Sequence, residues 1–496
     1  MERDSQPSAF PAIARALLPL LIGCAGSLAY WPGLVTWDSL RQYDQALSGD
    51  FDDWHPPAME WLWRQLLPLA HGPAPMLLAQ LGLYALGFAL LIVATARAGA
   101  GRRALAIGCV ALLPLSVALM ATIIKDSLMA GALIAAVGLC ALADQRASGK
   151  GMKRAAAFAL LLFASTLRFN AVFATLPLAL WTLPDAWRAR PARMAAGGAV
   201  MLALLAAAMP LANRLTAAKP SHVELSLIIF DLGGIGYHSG EDQFPPVGVK
   251  DAVAVNRHCY DPVKWDSYAW WVDEPCPIGF EQVRDAFARR HIEPHLFWLG
   301  ALLRHPIAYA EHRLAHWNVE TRFLAHDSVD RPVQVAAPPN EWGFAVAPNP
   351  IVRAVDWLAC RSGETPLGWP CVWIAAMIGL LWAGGASFPT RVLAWSALLY
   401  ALGYAPLGVA AELRYYLWTM IAGAVALALG VGARTRWARL VAPPVAVSAL
   451  PTRRPGLAVS RIVLLSACRL RLTCSARPAR NRAPPASRGR RSRRRP

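Results

Sequence analysis

Apolar runs long enough to cross a lipid bilayer recur along this chain, and short clusters of Arg and Lys separate them. A bilayer leaves few choices: backbone N–H and C=O groups inside it must be satisfied within the segment, so about 20 apolar residues become a helix. Ten segments serve, at roughly 12–30, 76–96, 104–123, 127–143, 155–167, 170–186, 195–214, 368–386, 391–410 and 415–433. The fifth and sixth are short and interrupted by Arg168 and Asn170. No convincing small-x-small cleavage site precedes Trp31, which predicts a retained first span rather than a removed leader. Charged residues make up only 16% of the chain, against about 25% in soluble domains. The expected fold is an all-α polytopic membrane protein.

Orientation follows from the basic loops. Arg97, Arg102 and Arg103 lie in one gap, Arg146, Lys150, Lys153 and Arg154 in another, and Arg188, Arg190 and Arg193 in a third. Arg434, Arg436 and Arg439 follow the last run. Positive loops stay inside, which puts both termini in the cytoplasm and leaves loop 31–75 and the long stretch 215–367 outside. With 43 Arg against 6 Lys the chain suits a GC-rich bacterium, so the expected location is the inner membrane with a periplasmic outer face. The organisation is then helices 1–7 over 1–214, a periplasmic cap over 215–367, helices 8–10 over 368–433, and a basic disordered cytoplasmic tail over 434–496. Of the net charge of +18, the 14 Arg of Pro451–Pro496 supply most. That charge sits on a Pro/Ala/Ser/Arg-rich terminus that cannot bury a core, not on a folded face, so no nucleic-acid partner is expected.

Candidate chemistry lies on the outer face. After Trp31-Pro-Gly, Asp38 opens a helical run. It is either an N-cap or a carboxylate held at the mouth of a membrane cavity. Asp53 and His55 precede the rigid pair Pro56-Pro57 and are candidate catalytic groups or mere loop polarity. Lys125-Asp126, Arg168 with Asn170, and Arg414-Tyr415 occupy three outward turns at membrane depth, where charge is costly and usually functional. Alone, each turn suits a local Lys–Asp pair or a snorkelling cation; together they make a candidate anion site for a phosphate or pyrophosphate head. Pro294–Leu324 suits an amphipathic surface helix with Arg313 near headgroups; the His312/His316 spacing alone does not make a metal site. Gly233-Gly234-Ile-Gly236 suits a turn, and no nucleotide-binding motif is present. Cys259 with Cys276, and Cys360 with Cys371, bracket short segments that could close as disulfides in an oxidising compartment.

In their order these motifs resemble the bacterial members of the GT-C glycosyltransferase superfamily, relatives of protein mannosyltransferases and lipid A aminoarabinose transferases. The resemblance rests on Pro32-Gly33, Trp37-Asp38-Ser39, Asp53-Trp54-His55-Pro56, Lys125-Asp126, Arg168-Phe-Asn170, Arg414-Tyr415, and His305-Pro306 with Tyr309 and His312-Arg313. It departs at Asp38, where many relatives carry a second carboxylate, and in the insert 215–367. It implies a polyprenyl-phosphate-linked sugar as donor, an envelope glycolipid, polysaccharide or protein as acceptor, and transfer on the outer face with Asp38 as general base. Asp53 and His55 would assist, and Lys125, Asp126, Arg168, Asn170, Arg313, Arg414 and Tyr415 would bind substrate. No cofactor is implied beyond a divalent cation, which the departure at Asp38 leaves open. A lipid phosphate leaves already anionic, so one base and several cations meet the demand. The alternatives are a lipid or sugar-lipid flippase, an envelope polysaccharide polymerase or ligase, and a receptor using the cap. No internal repeat of the transporter kind is present.

Orientation is directly testable. Reporter fusions at Gly49 and Val249 should be active only as periplasmic reporters and a fusion at Gly149 only as a cytoplasmic one; a cytoplasmic signal at Val249 would invert the topology.

Overall fold

The computed structural model describes residues 9–145, 148–325 and 333–430; Arg146, the basic segment after 433 and the predicted tail lie outside the described residues. Helix α1 (Phe10–Leu28) leads into a segment with two short helices, α2 (Trp37–Ser48) and α3 (Ala58–Leu66). Then come α4 (Ala74–Arg97), α5 (Gly101–Val110), α6 (Pro114–Ala121), α7 (Lys125–Gln145), α8 (Lys150–Ser165), α9 (Ala171–Thr182), the single turn α10 (Asp185–Arg188) and α11 (Pro191–Leu215). The insert folds as α12 (Glu224–Ser239), α13 (Ala252–Cys259), α14 (Phe280–Arg289), α15 (Pro294–Arg304) and α16 (Pro306–Thr321). Helices α17 (Pro350–Gly363), α18 (Pro370–Trp382), α19 (Phe388–Leu407) and α20 (Leu417–Gly430) complete the described residues.

Five of these are long and apolar enough to cross a membrane: α1, α4, α7, α11 and the run Leu413–Gly430 that ends in α20. A sixth forms if α5 and α6, bent by 52° at the break before Pro114, count as one span. Proline lacks the N–H and clashes with the preceding turn, which explains the bend. Helices stand at all ten expected positions, but α8, α9 and α18 have 16, 12 and 13 residues, short of the roughly 20 a bilayer needs. The chain is a multi-pass membrane protein.

Helix α7 is the axle. Of its apolar window 83% is buried, against 22% for α1 and for α11, which turn their side chains outward. Helix α4 lies against α7 at backbone contact. A Cβ on Gly87 would sit 2.4 Å from the carbonyl carbon of Ile134, and one on Gly138 would sit 2.5 Å from the Gly87 oxygen. Small residues permit this approach, and close van der Waals packing holds helices where lipid removes the hydrophobic drive.

The extended break between α6 and α7 fixes the loop that follows α1. Leu34 N–H donates to Ala121 O (3.1 Å), and Ile123 N–H donates to Leu34 O (2.8 Å). Ser39 Oγ donates to Ile123 O at 2.5 Å. Gln80 Nε2 supplies Met120 O and Thr122 O at 2.8 and 2.9 Å. Every carbonyl freed by the break thus finds a buried donor, and α2 is fastened to the start of α7.

The cap has its own core, in which Ile228, Ile229, Phe230, Leu232 and Ile235 of α12 pack on Tyr260, Trp265, Tyr268, Phe280 and Val283. Cys259 and Cys276 are joined in a disulfide across it. Three sequence readings change here. Cys360 and Cys371 are not joined; the Cys371 thiol instead faces the carbonyl of Arg322. Gly233, Gly234 and Gly236 form no turn but lie inside α12. A Cβ on Gly234 would overlap the His312 ring at 2.1 Å, and one on Gly233 would meet the Tyr268 hydroxyl at 2.4 Å. The stretch 294–324 is two helices that break at His305, where Pro306 starts α16, and α16 buries Ala308, His312, Arg313, His316, Val319 and Glu320 on one stripe.

The close α4–α7 contact predicts that Gly87→Val lowers the melting temperature and detergent-extracted yield sharply, with a loss of about 1–3 kcal/mol from overpacking. Gly82→Val, on the same helix with open space at its Cβ, should be near neutral. Equal behaviour of the two variants would remove the contact from the argument.

Candidate active site

Thr36, not Asp38, caps α2: its hydroxyl accepts from Ser39 N–H while the Ser39 side chain answers the Thr36 N–H, a closed capping box. The N-cap reading of Asp38 is thereby corrected, and its carboxylate is released for other partners. Asp38 Oδ2 accepts from Arg414 Nη1 at 2.9 Å, and Oδ1 lies 3.8 Å from His55 Nε2. The other ring nitrogen of His55 meets Lys125 Nζ at 2.8 Å. The first loop, the start of α7 and the turn before α20 therefore meet at one carboxylate.

Behind this edge lies a second pair. Asp126 does not bond its neighbour Lys125, as a local ion pair would require; it accepts from Arg168 Nη1 at 2.6 Å. The Arg168 guanidinium stands 4.4 Å from the Tyr415 ring centroid and Arg414 stands 5.5 Å from the same centroid, so Tyr415 lies against two cations. Tyr404 stacks on Tyr415 with centroids 5.2 Å apart. Asn170 is buried at the head of α9. Accessibility sorts the groups: the Asp38 side chain keeps 29% of its surface and Arg414 17%, while Asp126 keeps 2%. Asp38 and Arg414 are thus the groups most open to a ligand.

Electrostatics follow from these contacts. Burial works against ionising Asp38, but the charges of Arg414 and Lys125 outweigh it and hold the carboxyl well below the usual range. Burial and the Lys125 charge drive His55 down to about 3, so its ring is neutral. Its Nδ1 is then free to accept from the Lys125 ammonium.

Two expected site residues take other partners. Asp53 accepts from Ser221 N and Oγ at 2.6 and 2.7 Å. It clips the first loop to the strand-like junction entering the cap, where Asp52 bridges Lys219. Arg313 does not reach toward headgroups. It is 7% exposed, ion-paired with Asp231 at 2.5 Å, and donates to Gly408 O at 2.6 Å. An unpaired guanidinium cannot stay buried, so Asp231 takes it. Asp231 also accepts from Trp298 Nε1 at 2.7 Å and lies 3.1 Å from His312 Nε2. Among the described residues no three His, Cys, Asp or Glu side chains gather as a metal set.

Glu60 escaped the sequence reading, because an acid in the first turn of a helix normally serves the helix dipole. Here it is wholly buried, accepts from Gln42 Nε2 at 3.0 Å, and its Oε2 has no partner. Burial pushes its carboxyl up to about 8 against the pull of Gln42 and Lys125. A folded state that binds this proton more tightly than the unfolded chain loses stability as pH rises from about 4.5 to about 8. Glu60→Gln should therefore raise the stability at pH 8 by about 1–4 kcal/mol, seen as a higher melting temperature, and flatten its decline above pH 5. Thermal scans across pH check this, and a destabilised variant at pH 8 would show that the carboxylate is needed.

No protein-family model matches the chain, and neither does the sequence of any curated protein. Solved structures do. ArnT from Cupriavidus metallidurans, crystallised with undecaprenyl phosphate, matches over 85% of this chain and 76% of its own, at 15% identity and a TM-score of 0.29. The Archaeoglobus fulgidus oligosaccharyltransferase, tethered to an acceptor peptide, matches over 84% of this chain at 14% identity and a TM-score of 0.30. This chain spans about half (49%) of that protein's length.

Proposed function

We propose that the protein is an inner-membrane glycosyltransferase that takes a sugar from a polyprenyl-phosphate donor at the periplasmic face and passes it to an envelope acceptor. Ten spans with both termini in the cytoplasm belong to this reading, as does 215–367 as a periplasmic cap. The observation that supports it is the accessible Asp38 carboxylate bonded to Arg414 and backed by His55 and Lys125. Such a cluster holds a base and cations within one ligand's reach, which transfer from a lipid phosphate requires. A glycoside hydrolase would want two facing carboxylates.

The chemistry runs through this chain's own groups. Arg414 offers a guanidinium fork to the donor phosphate, and Lys125 adds a point charge. At rest both hold Asp38 too acidic to be an effective base. When a phosphate takes up their charge, Asp38 loses its strongest counterions and its proton affinity rises. The acceptor hydroxyl then gives its proton to Asp38 as its oxygen bonds the anomeric carbon, and the lipid phosphate leaves with the bonding pair.

Asp38→Asn tests the base. Since Thr36 caps the helix, the variant should fold and bind donor, yet lose transfer by roughly 10²–10⁴-fold in membranes supplied with a polyprenyl-phosphate sugar. Near-normal transfer would end the claim. Arg414→Ala should weaken donor binding by about 1.5–3 kcal/mol. Arg168→Ala is a poorer test, because it strands the buried Asp126 and destabilises the fold itself.

A further inference from the structure

A second group of polar atoms lies one ring behind the site. His316 Nε2, Trp317 Nε1, both carboxyl oxygens of Glu320 and the Tyr416 hydroxyl are all buried without a well-formed hydrogen bond. His316 and Glu320 side chains have no exposed surface, and Nε2 stands 3.9 Å from Glu320 Oε2. Gly408 closes over the pair: a Cβ there would lie 2.9 Å from Nε2 and 3.0 Å from Oε2. The Tyr416 hydroxyl is within reach of both Glu320 and Trp317.

The proton count decides the state of this group. His316 Nδ1 is 2.7 Å from the carbonyl of Pro262, so Nδ1 carries the proton. In the neutral ring Nε2 is then an acceptor. An ionised Glu320 would set an acceptor against an acceptor and leave both unsatisfied. With one proton on Glu320 the donors run in a single direction. Trp317 Nε1–H faces Tyr416, the Tyr416 O–H faces one Glu320 oxygen, the Glu320 O–H is directed toward His316 Nε2 across 3.9 Å, and Nδ1–H donates to Pro262 O. The charges facing Glu320 are Arg313, on its own helix, and Arg168 from the site. Both would favour the anion, but Arg313 is neutralised by Asp231 and Arg168 by Asp126. The remaining alternative, an imidazolium–carboxylate pair, would desolvate two charges with only the Tyr416 hydroxyl and the Pro262 carbonyl to offset the cost.

We propose that Glu320 is a positioning residue held as a neutral carboxylic acid, which ties α16, through the Tyr416 hydroxyl, to the segment 408–416 that carries Arg414 and Tyr415. Burial pushes the Glu320 carboxyl well up and His316 down to about 3, in the same sense. The backbone agrees with this role. Trp265 N–H donates to Val409 O at 3.0 Å and Ala411 N–H to Val263 O at 2.9 Å. His316 holds the cap side of this pairing through Pro262, and the Glu320–Tyr416 contact holds the other side. The consequence for transfer rests on the function proposed above; the protonation state does not.

A glutamine reproduces the protonated acid: its amide donates where the O–H did and its oxygen accepts from Tyr416. In the purified full chain, Glu320→Gln should keep the melting temperature and keep donor-dependent transfer within about twofold, with an unchanged pH profile. It should also lose one protonated-carboxyl band from the infrared difference spectrum. Glu320→Ala, which cuts the chain of donors, should lower kcat by about tenfold or more, and Glu320→Gln in its place should restore it. A Glu320→Gln protein that fails to fold, loses transfer as Glu320→Ala does, or shows no lost band would overturn the proposal. If wild type transfers no sugar, the band and the melting temperature still decide the protonation state, and only the functional reading fails.

Discussion

The ion pair between Asp38 and Arg414 joins residues 376 positions apart in the chain and constrains everything near it. Both side chains are largely shielded from solvent, and an unpaired charge so placed costs several kcal/mol. Satisfying one therefore demands that α2 and the turn before α20 converge. Arg168 and Asp126 repeat the demand one layer deeper. Tyr415 lies between the two cations, so the pairs share a wall and are not independent features. Asp126 begins α7, the most buried helix, and moving it would disturb the α4–α7 contact at Gly87 and Gly138.

The cap belongs to the same arrangement. Its residues 263–265 pair with 409–411, and Arg313 donates to Gly408 O. The cap thereby holds the segment that ends in Arg414 and Tyr415. Asp53 ties the first loop to Ser221 at the cap's entrance. One side of the site is thus fastened to the cap at its beginning and the other at its end. The disulfide between Cys259 and Cys276 closes the loop that contains 263–265, so the covalent staple lies next to the pairing it supports.

Much of this was legible in the sequence. The apolar runs located the helices because a bilayer forbids other solutions, and the grouping of Asp38, Lys125, Arg168 and Arg414 followed from their shared depth. What pairs with what was not legible. Lys125-Asp126 is a dipeptide, yet its members serve different partners, His55 and Arg168, because successive helical positions point about 100° apart. Asp38 suits an N-cap by residue type, but Thr36 closes the box with Ser39. Arg313, Glu320 and Asp231 were misjudged or missed for one reason: an amphipathic pattern reports which residues are apolar, and α16 buries a stripe that is half polar. Its partners come from α12 and from the turn after α19, about 80 to 95 residues away in sequence, where no local pattern reaches.

The cations that would bind a donor are the same ones that hold Asp38 in its resting state, and this overlap has a chemical consequence. A free, strongly basic carboxylate at the outer face would activate water as readily as an acceptor hydroxyl, and a lipid-linked sugar would be lost to hydrolysis. With Arg414 bonded to Asp38 and Lys125 behind His55, the carboxylate is a weak base until an anion competes for its partners. In the proposed reaction, donor arrival both supplies the substrate and raises the basicity needed to use it. That coupling requires Asp38 and the phosphate to share a cation, and Arg414, with a fork of donors on the accessible edge, is the group placed to be shared. A lysine at 414 would keep the charge but give a single point of contact, so binding phosphate and releasing Asp38 would no longer be coupled through one planar group.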